Sequence, residues 1–193
     1  RAASHHSQSL YPIFTHIPGL KVVVPSSPYE AKGLLIQAVR DNDPVIFCEH
    51  KSLHHIQEDV PESSYAIPFG EANVLRDGGD ATIVAFGFMV KKSMEAASKL
   101  AKEGIQCEVI DPRTTSPLDL ETIIESVENT GRLVVVDESN PRCSIAADIC
   151  AQVTEQAFKS LQGPVKMVTA PHCPPPFSDV SIKLSVGKPI EFV

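Results

Sequence analysis

Histidine is the side chain whose charge ordinarily changes near neutral pH, so acid–base chemistry is sought first among the seven histidines. His5 and His6 stand beside Ser7 and Gln8, at the head of an amphipathic stretch that carries Leu10, Ile13 and Phe14. At a helix N-terminus an imidazole binds its proton less tightly and can serve as acid, base or electrophile; on an ordinary surface the same pair is inert. His50, His54 and His55 include an i, i+4 pair at zinc spacing. Lys51 and a Pro/Glu-rich stretch follow without a third ligand, which favours a solvated loop.

The acidic constellations are two. Arg40-Asp41-Asn42-Asp43-Pro44 closes a helical pattern, so two carboxylates meet carbonyls that the helix leaves unpaired. That arrangement suits a hard cation held by oxygen, or is a plain helix-to-strand turn stopped by Pro44. Asp111, Asp137 and Glu138 follow apolar runs directly, at the edge where doubly wound sheets bind ligands; the same placement suits turn caps or contacts with a partner chain. No Gly-x-Gly-x-x-Gly accompanies them, and Gly87 alone is a weak phosphate-loop signal.

Positioning these groups requires a scaffold. Apolar, β-branched runs recur at Val22 to Val24, Val45 to Cys48, Thr82 to Phe86, Val109 to Ile110, Leu133 to Val136 and Val165 to Val168, without polar alternation, as in strands buried on both faces. Between them, 3.6-residue periods mark helices on Ala31/Leu34/Leu35/Ala38, Val90/Met94/Ala97/Ala101, Leu120/Ile123/Ile124/Val127 and Ala146/Ile149/Cys150/Val153/Ala157. Ser27-Pro28-Tyr29-Glu30 and Ser116-Pro117-Leu118-Asp119 read as helix starts, each with Ser as N-cap. Strand and helix alternate, which predicts an α/β fold with a mainly parallel sheet.

The alternation breaks between His50 and Pro68, which puts a domain boundary there and divides the chain into 1–66 and 67–193. Residues 69 to 170 read as a self-contained unit: a lead-in around Ala72 to Leu75, then four buried strands with three helices between them. Residues 1 to 66 supply too few elements to close a core alone, so the first domain is expected to begin upstream of Arg1.

Composition narrows the function classes. A formal charge of -7 over 193 residues and a pI near 5.5 argue against nucleic acid. No apolar run reaches the ~20 residues of a membrane span, and Arg1-Ala2-Ala3-Ser4 lacks a signal-peptide core. Cys48, Cys107, Cys143, Cys150 and Cys173 form no Cys-x-x-Cys pair and read as buried thiols of a reducing compartment, a cytoplasm or an organelle (mitochondrial) matrix.

Taken together, several segments resemble the β subunits of the thiamine diphosphate-dependent dehydrogenase components of 2-oxo acid and acetoin dehydrogenase complexes. The segments are His6-Ser7-Gln8, His16-Ile17-Pro18-Gly19-Leu20-Lys21-Val22-Val23, Ala31-Lys32-Gly33-Leu34-Leu35, Asp43-Pro44-Val45, Glu49-His50-Lys51, Ile67-Pro68-Phe69-Gly70, Glu103-Gly104-Ile105, Glu108-Val109-Ile110-Asp111-Pro112-Arg113-Thr114 and Pro117-Leu118-Asp119. His5-His6-Ser7-Gln8, Asp111-Pro112-Arg113-Thr114-Thr115-Ser116-Pro117 and Asp137-Glu138-Ser139-Asn140-Pro141-Arg142-Cys143 are most similar to the acetoin type. The resemblance implies that residues 1–66 are the C-terminal part of a pyrimidine-binding domain and 67–193 a transketolase C-terminal-type domain.

The resemblance further implies thiamine diphosphate and Mg2+ shared with an α subunit in an α2β2 assembly, and transfer of an acyl unit from a small-molecule substrate to the lipoyl group of an acyltransferase core. His6 becomes an expected active-site residue for proton handling or lipoyl positioning. Ala38, Val39, Asp41 and Asp43 match positions that hold a structural potassium ion in related β subunits. Those relatives carry, upstream of the His motif, a glutamate that activates the aminopyrimidine ring; on this likeness the chain is N-terminally incomplete. Its tail from Asp179 to Val193 also departs from the family's usual ending. A truncated, non-catalytic assembly module is the alternative, and an isolated nucleotide-binding α/β domain the third reading.

Overall fold

The computed structural model describes residues 6–175; His5 and the divergent tail lie outside them. The chain runs α1 (Tyr11–Thr15), β1 (Lys21–Val23), α2 (Pro28–Arg40), β2 (Val45–Phe47), β3 (Asn73–Arg76), β4 (Ala81–Ala85), α3 (Phe88–Leu100), β5 (Cys107–Asp111), β6 (Thr114–Ser116), α4 (Leu120–Thr130), β7 (Leu133–Asp137), α5 (Ile145–Gln156) and β8 (Lys166–Thr169). Each strand read from an apolar run is present, and the four longer helices fall on the periodic segments.

Five strands form one sheet in the order β3-β5-β4-β7-β8. β4 pairs in parallel with β5 and β7, and β7 with β8, while β3 joins β5 antiparallel at the edge. The expected mainly parallel sheet is therefore observed. Its central strands are buried as the unbroken apolar runs require, but Lys166 and Met167 of edge strand β8 are exposed, because one side of an edge strand has no neighbour to cover it.

The second sheet changes the reading of the later segment as self-contained. β1 pairs in parallel with β2 and antiparallel with β6, so a short strand from after the break completes the sheet of the first half. Thr114-Thr115-Ser116 carries no apolar run, which hid this strand from periodicity. Ser116 is not a helix cap. It lies in β6, its hydroxyl donates to the Leu20 carbonyl at 2.8 Å, and its bond to Pro117 is cis. The cap of α4 is Asp119 instead, which accepts from the Thr122 N–H at 3.1 Å and from the Ala72 N–H at 2.8 Å. Ser27 caps α2 as expected, accepting from the Glu30 N–H.

One apolar core runs through both halves: Tyr11, Val22 and Val24 pack with Val84, Phe86, Ile110, Ile123, Val127, Val135 and Ile149. Each fully buried Ile or Val of this set stabilises by roughly 1.5–3 kcal/mol. Buried hydroxyls of β4 and α4 pair with one another. Thr82 Oγ1 lies 2.6 Å from Ser126 Oγ and 2.7 Å from Thr130 Oγ1, tying β4 to α4 on the helix's own i, i+4 face. Cys107 and Cys150 are buried and Cys48 and Cys173 half-buried, but Cys143 is exposed, against the expectation of buried thiols; it sits at positive φ in the loop before α5, outside any strand or helix.

Candidate functional site

The ends of β2, β4 and β7 converge. His50 follows β2, Gly87 and Phe88 follow β4, and Asp137 and Glu138 close β7. The His50 ring stacks on Phe88 with centroids 5.1 Å apart, and its Nε2 lies 2.9 Å from Glu138 Oε2. His50 Nδ1 accepts from the Ser52 N–H at 3.2 Å, which leaves Nε2 as the donor to the carboxylate and fixes the ring's tautomer. His54 and His55 are exposed on the following turn and do not share His50's partners. Gly87 (φ +52) caps α3, and a Cβ there would meet Val24 Cγ1 at 3.2 Å. That packing against the first half of the chain accounts for it without a phosphate.

Beside this pair, the buried Tyr11 hydroxyl donates to Asp137 Oδ1, which also accepts from the Ser139 N–H at 2.9 Å, while the Ser139 hydroxyl donates to Oδ2. Burial, and after it the Asp137 charge, raise the phenol far above its ordinary value, so Tyr11 is a standing donor. His6 is exposed in a turn a few residues ahead of Tyr11. The edge thus gathers Tyr11, His50, Asp137 and Glu138, whereas the third strand-end acid, Asp111, belongs elsewhere.

Asp111 is fully buried and meets Glu30 of α2. Ser26 Oγ stands between Glu30 Oε2, at 2.7 Å, and Asp111 Oδ2. One hydroxyl proton cannot serve two carboxylates, so one of them must be an acid. Burial first, then the Glu30 charge and the hydrogen bond with Glu30, push Asp111 well above the carboxylate range. Burial would raise Glu30 too, but hydrogen bonds from Asp111, Ser26 and Arg113 outweigh it and leave Glu30 lowered. Arg113 Nε donates to Glu30 Oε1 at 2.9 Å and Asn73 Nδ2 to the same oxygen at 3.2 Å. The proton therefore sits on Asp111, and the Glu30–Arg113 ion pair clamps the two halves together. Neither Asp111 nor Asp137 faces outward to a partner chain.

The residues at the expected ion turn are brought together, and a side chain that the sequence did not single out joins them. Lys21 Nζ lies 2.7 and 2.8 Å from the two Asp41 oxygens and 3.0 Å from Asp43 Oδ2. Asp41 Oδ1 also accepts from the Asp43 N–H at 2.9 Å, and the Ala38 carbonyl accepts from the Asp41 N–H at 3.3 Å. Hydrogen bonds from Lys21 and the Asp43 backbone hold Asp41 below the usual carboxylate range. Val39 is exposed beside them. Among the described residues, no three His, Cys, Asp or Glu side chains group as a metal site, so an ion here would be held mainly by backbone oxygens.

Sequence reasoning also missed Tyr11, Ser139, Arg113 and Ser26. The available signals were a Tyr at the head of a short amphipathic segment and polar residues directly after apolar strands.

Two α/β units, joined by a shared core and by β6, with catalytic-type side chains at the strand ends, define a fold of the transketolase kind. Residues 1–57 match the transketolase pyrimidine-binding domain and residues 70–187 the transketolase C-terminal domain. The chain belongs to the transketolase family. It is 66% identical over 178 residues to the acetoin:2,6-dichlorophenolindophenol oxidoreductase subunit beta of Cupriavidus necator, covering 92% of this chain and 53% of that protein. It is 54% identical over 180 residues to the subunit of the same name in Bacillus subtilis, covering 93% and 53%. With the pyruvate dehydrogenase E1 component subunit beta of Bacillus subtilis it shares 50% over 174 residues, covering 90% and 54%. The chain spans about half the length of the curated relatives it matches.

A solved split-gene transketolase, described as an inactive beta4 tetramer, superposes with a TM-score of 0.66 at 25% identity, covering 83% of this chain and 50% of that one. The likeness to dehydrogenase β subunits read from the motifs is borne out by these relatives. Among the described residues no helix is long and apolar enough to cross a membrane.

Proposed function

We propose that this chain is part of the β subunit of a thiamine diphosphate-dependent acetoin dehydrogenase, working with an α subunit in an α2β2 assembly and passing its acyl unit to a lipoyl acyltransferase core. The observation that carries the reading is the 66% identity to an acetoin oxidoreductase β subunit, against 50% for a pyruvate dehydrogenase one. Residues 1–66 are the pyrimidine-binding part and 67–193 the C-terminal domain, in a cytoplasmic enzyme.

Bound thiamine diphosphate supplies the carbon nucleophile and electron sink that cleave the substrate beside its carbonyl. Its diphosphate and Mg2+ are assigned to the α subunit. This chain's share is acid–base and positional. His6, exposed on the segment ahead of Tyr11, takes and returns a proton at an imidazole nitrogen or aligns the acceptor.

Potassium is assigned to the turn of Ala38, Val39, Asp41 and Asp43. Its donors are all oxygen, as a hard cation requires, and Lys21 already balances part of the carboxylate charge, which favours a monovalent ion over a divalent one.

The test is dye reduction with acetoin and with pyruvate by the full-length β chain assembled with its α partner, comparing native protein with His6→Ala. General acid–base groups contribute about 100-fold or more, so a loss of that size with assembly intact is expected. Undiminished turnover removes His6 from the chemistry, and a preference for pyruvate reassigns the substrate.

A further inference from the structure

The candidate histidine lies a few residues ahead of Tyr11, the first residue of α1. α1, which follows it, spans only Tyr11–Thr15, and a helix this short is not stable on its own. Its position is set by tertiary contacts at its two ends. Thr15 Oγ1 lies 2.6 Å from Thr115 Oγ1 of β6 and donates to the Tyr11 carbonyl at 3.0 Å. Tyr11 sits at the other end, next to the His6 segment, its ring tilted 41° against Phe86 at 6.4 Å.

Packing alone does not require the Tyr11 hydroxyl, because Phe would fill the same apolar pocket. The hydroxyl adds a directed bond to a carboxylate that is itself aligned by Ser139. Asp137 is 1% exposed and Tyr11 7%, so water does not compete for that bond.

We propose that Tyr11 is a positioning residue for the His6 segment, held by Asp137, so that the end of β7 in the second half of the chain sets where the active-site histidine of the first half stands. The adjacent Glu138 meets His50 Nε2 at 2.9 Å in a part-exposed pair, so one strand end contacts both α1 and the loop leaving β2. The inference rests on the proposed role of His6.

The experiment uses the full-length chain with its α partner and compares wild type, Tyr11→Phe, His6→Ala and the double variant. Displacements near 1 Å in a catalytic array cost up to about 100-fold in rate. Tyr11→Phe is expected to lower kcat by about tenfold or more with KM changed less than about threefold, and to lower it no further in the His6→Ala background. A wild-type kcat in Tyr11→Phe, or an equal fractional loss with His6 absent, overturns the proposal and leaves Tyr11 a packing residue.

Hydrogen exchange at Ile13, whose N–H donates to the Leu10 carbonyl at 3.1 Å, supplies a readout independent of turnover. Exchange about tenfold faster in Tyr11→Phe than in wild type is expected, with β7 unchanged. Equal exchange overturns the anchoring even if no tested substrate is turned over. Absent wild-type turnover with faster exchange refutes the proposed activity while keeping the anchor.

Discussion

The Glu30–Asp111 pair gives the sharpest test of the protonation assigned here, because two near-isosteric substitutions should have unequal effects. Asp111→Asn replaces a neutral acid with a neutral amide. Asn can still accept from the Arg113 N–H at Oδ1 and donate where the acid proton did, so near pH 4, before linkage to the acid's proton adds, the change is expected within about 1 kcal/mol of wild type. Glu30→Gln removes the charged partner of Arg113, whose side chain is only 14% exposed, against 3% for Glu30. Breaking such a pair costs about 3–5 kcal/mol, and the residual access of Arg113 to water places the loss near about 3 kcal/mol. For a chain of this size that lowers the unfolding midpoint by roughly 6–12 °C.

The pH dependence adds a sign. Asp111 keeps in the folded state a proton that the unfolded chain releases above about pH 4, so its contribution falls as pH rises toward the folded pKa, by about 1.4 kcal/mol per unit. Asn has no such proton. Asp111→Asn should therefore gain on wild type as pH rises from the unfolded carboxyl value of about 4 toward the folded pKa. Glu30, held low, contributes stability that is present above its unfolded value and lost as pH falls through its folded pKa, so Glu30→Gln is penalised across that same window. Thermal unfolding of the full-length chain in its native assembly, at several pH values, reads both effects. If Asp111→Asn is the more damaging change, or its difference from wild type is flat with pH, the proton has been placed on the wrong carboxyl.

Gly78 and Gly79 make an internal control. A Cβ on Gly78 would lie 2.2 Å from the Cys107 carbonyl carbon, backbone that cannot swing away, whereas Gly79 has open space. Gly78→Ala should lose about 2 kcal/mol or more by overpacking and Gly79→Ala almost nothing, read as unfolding midpoints; equal midpoints would mean that the β3–β4 turn relaxes freely. At the ion turn, Lys21→Met leaves Asp41 and Asp43 without their ammonium. Its unfolding midpoint should rise more steeply with added KCl than that of wild type, and matching slopes would separate Lys21 from the cation.

The strands and longer helices could be read from the sequence because burial on both faces, and on one helical face, leaves a pattern in residue type. β6 could not, because Thr114, Thr115 and Ser116 earn their place by pairing and hydroxyl contacts rather than by apolarity. For the same reason the start of α4 was placed too early: Ser116-Pro117-Leu118-Asp119 satisfies the rule for a Ser cap, but the Ser hydroxyl has a tertiary partner in Leu20 and Asp119 takes the cap. At the site, the histidines and strand-end acids were visible as types. Which acid meets which partner was not, since Tyr11 and Asp137, or Glu30 and Asp111, come together only when the two halves pack.

That packing bears directly on function. The halves are joined by a strand pair, by the Glu30–Arg113 clamp, by Tyr11 on Asp137 and by His50 on Glu138. The first two fix the register of the sheets. The last two act at adjacent residues of one strand end and fix side chains on α1 and on the loop after β2. A hinge between the halves would have to break a buried hydrogen bond to a carboxylate and a buried ion pair at once, a combined cost of about 5 kcal/mol or more. On the proposed function, motion needed for substrate entry or product release is therefore expected in loops or between the proposed subunits, with the two halves of this chain moving as one body.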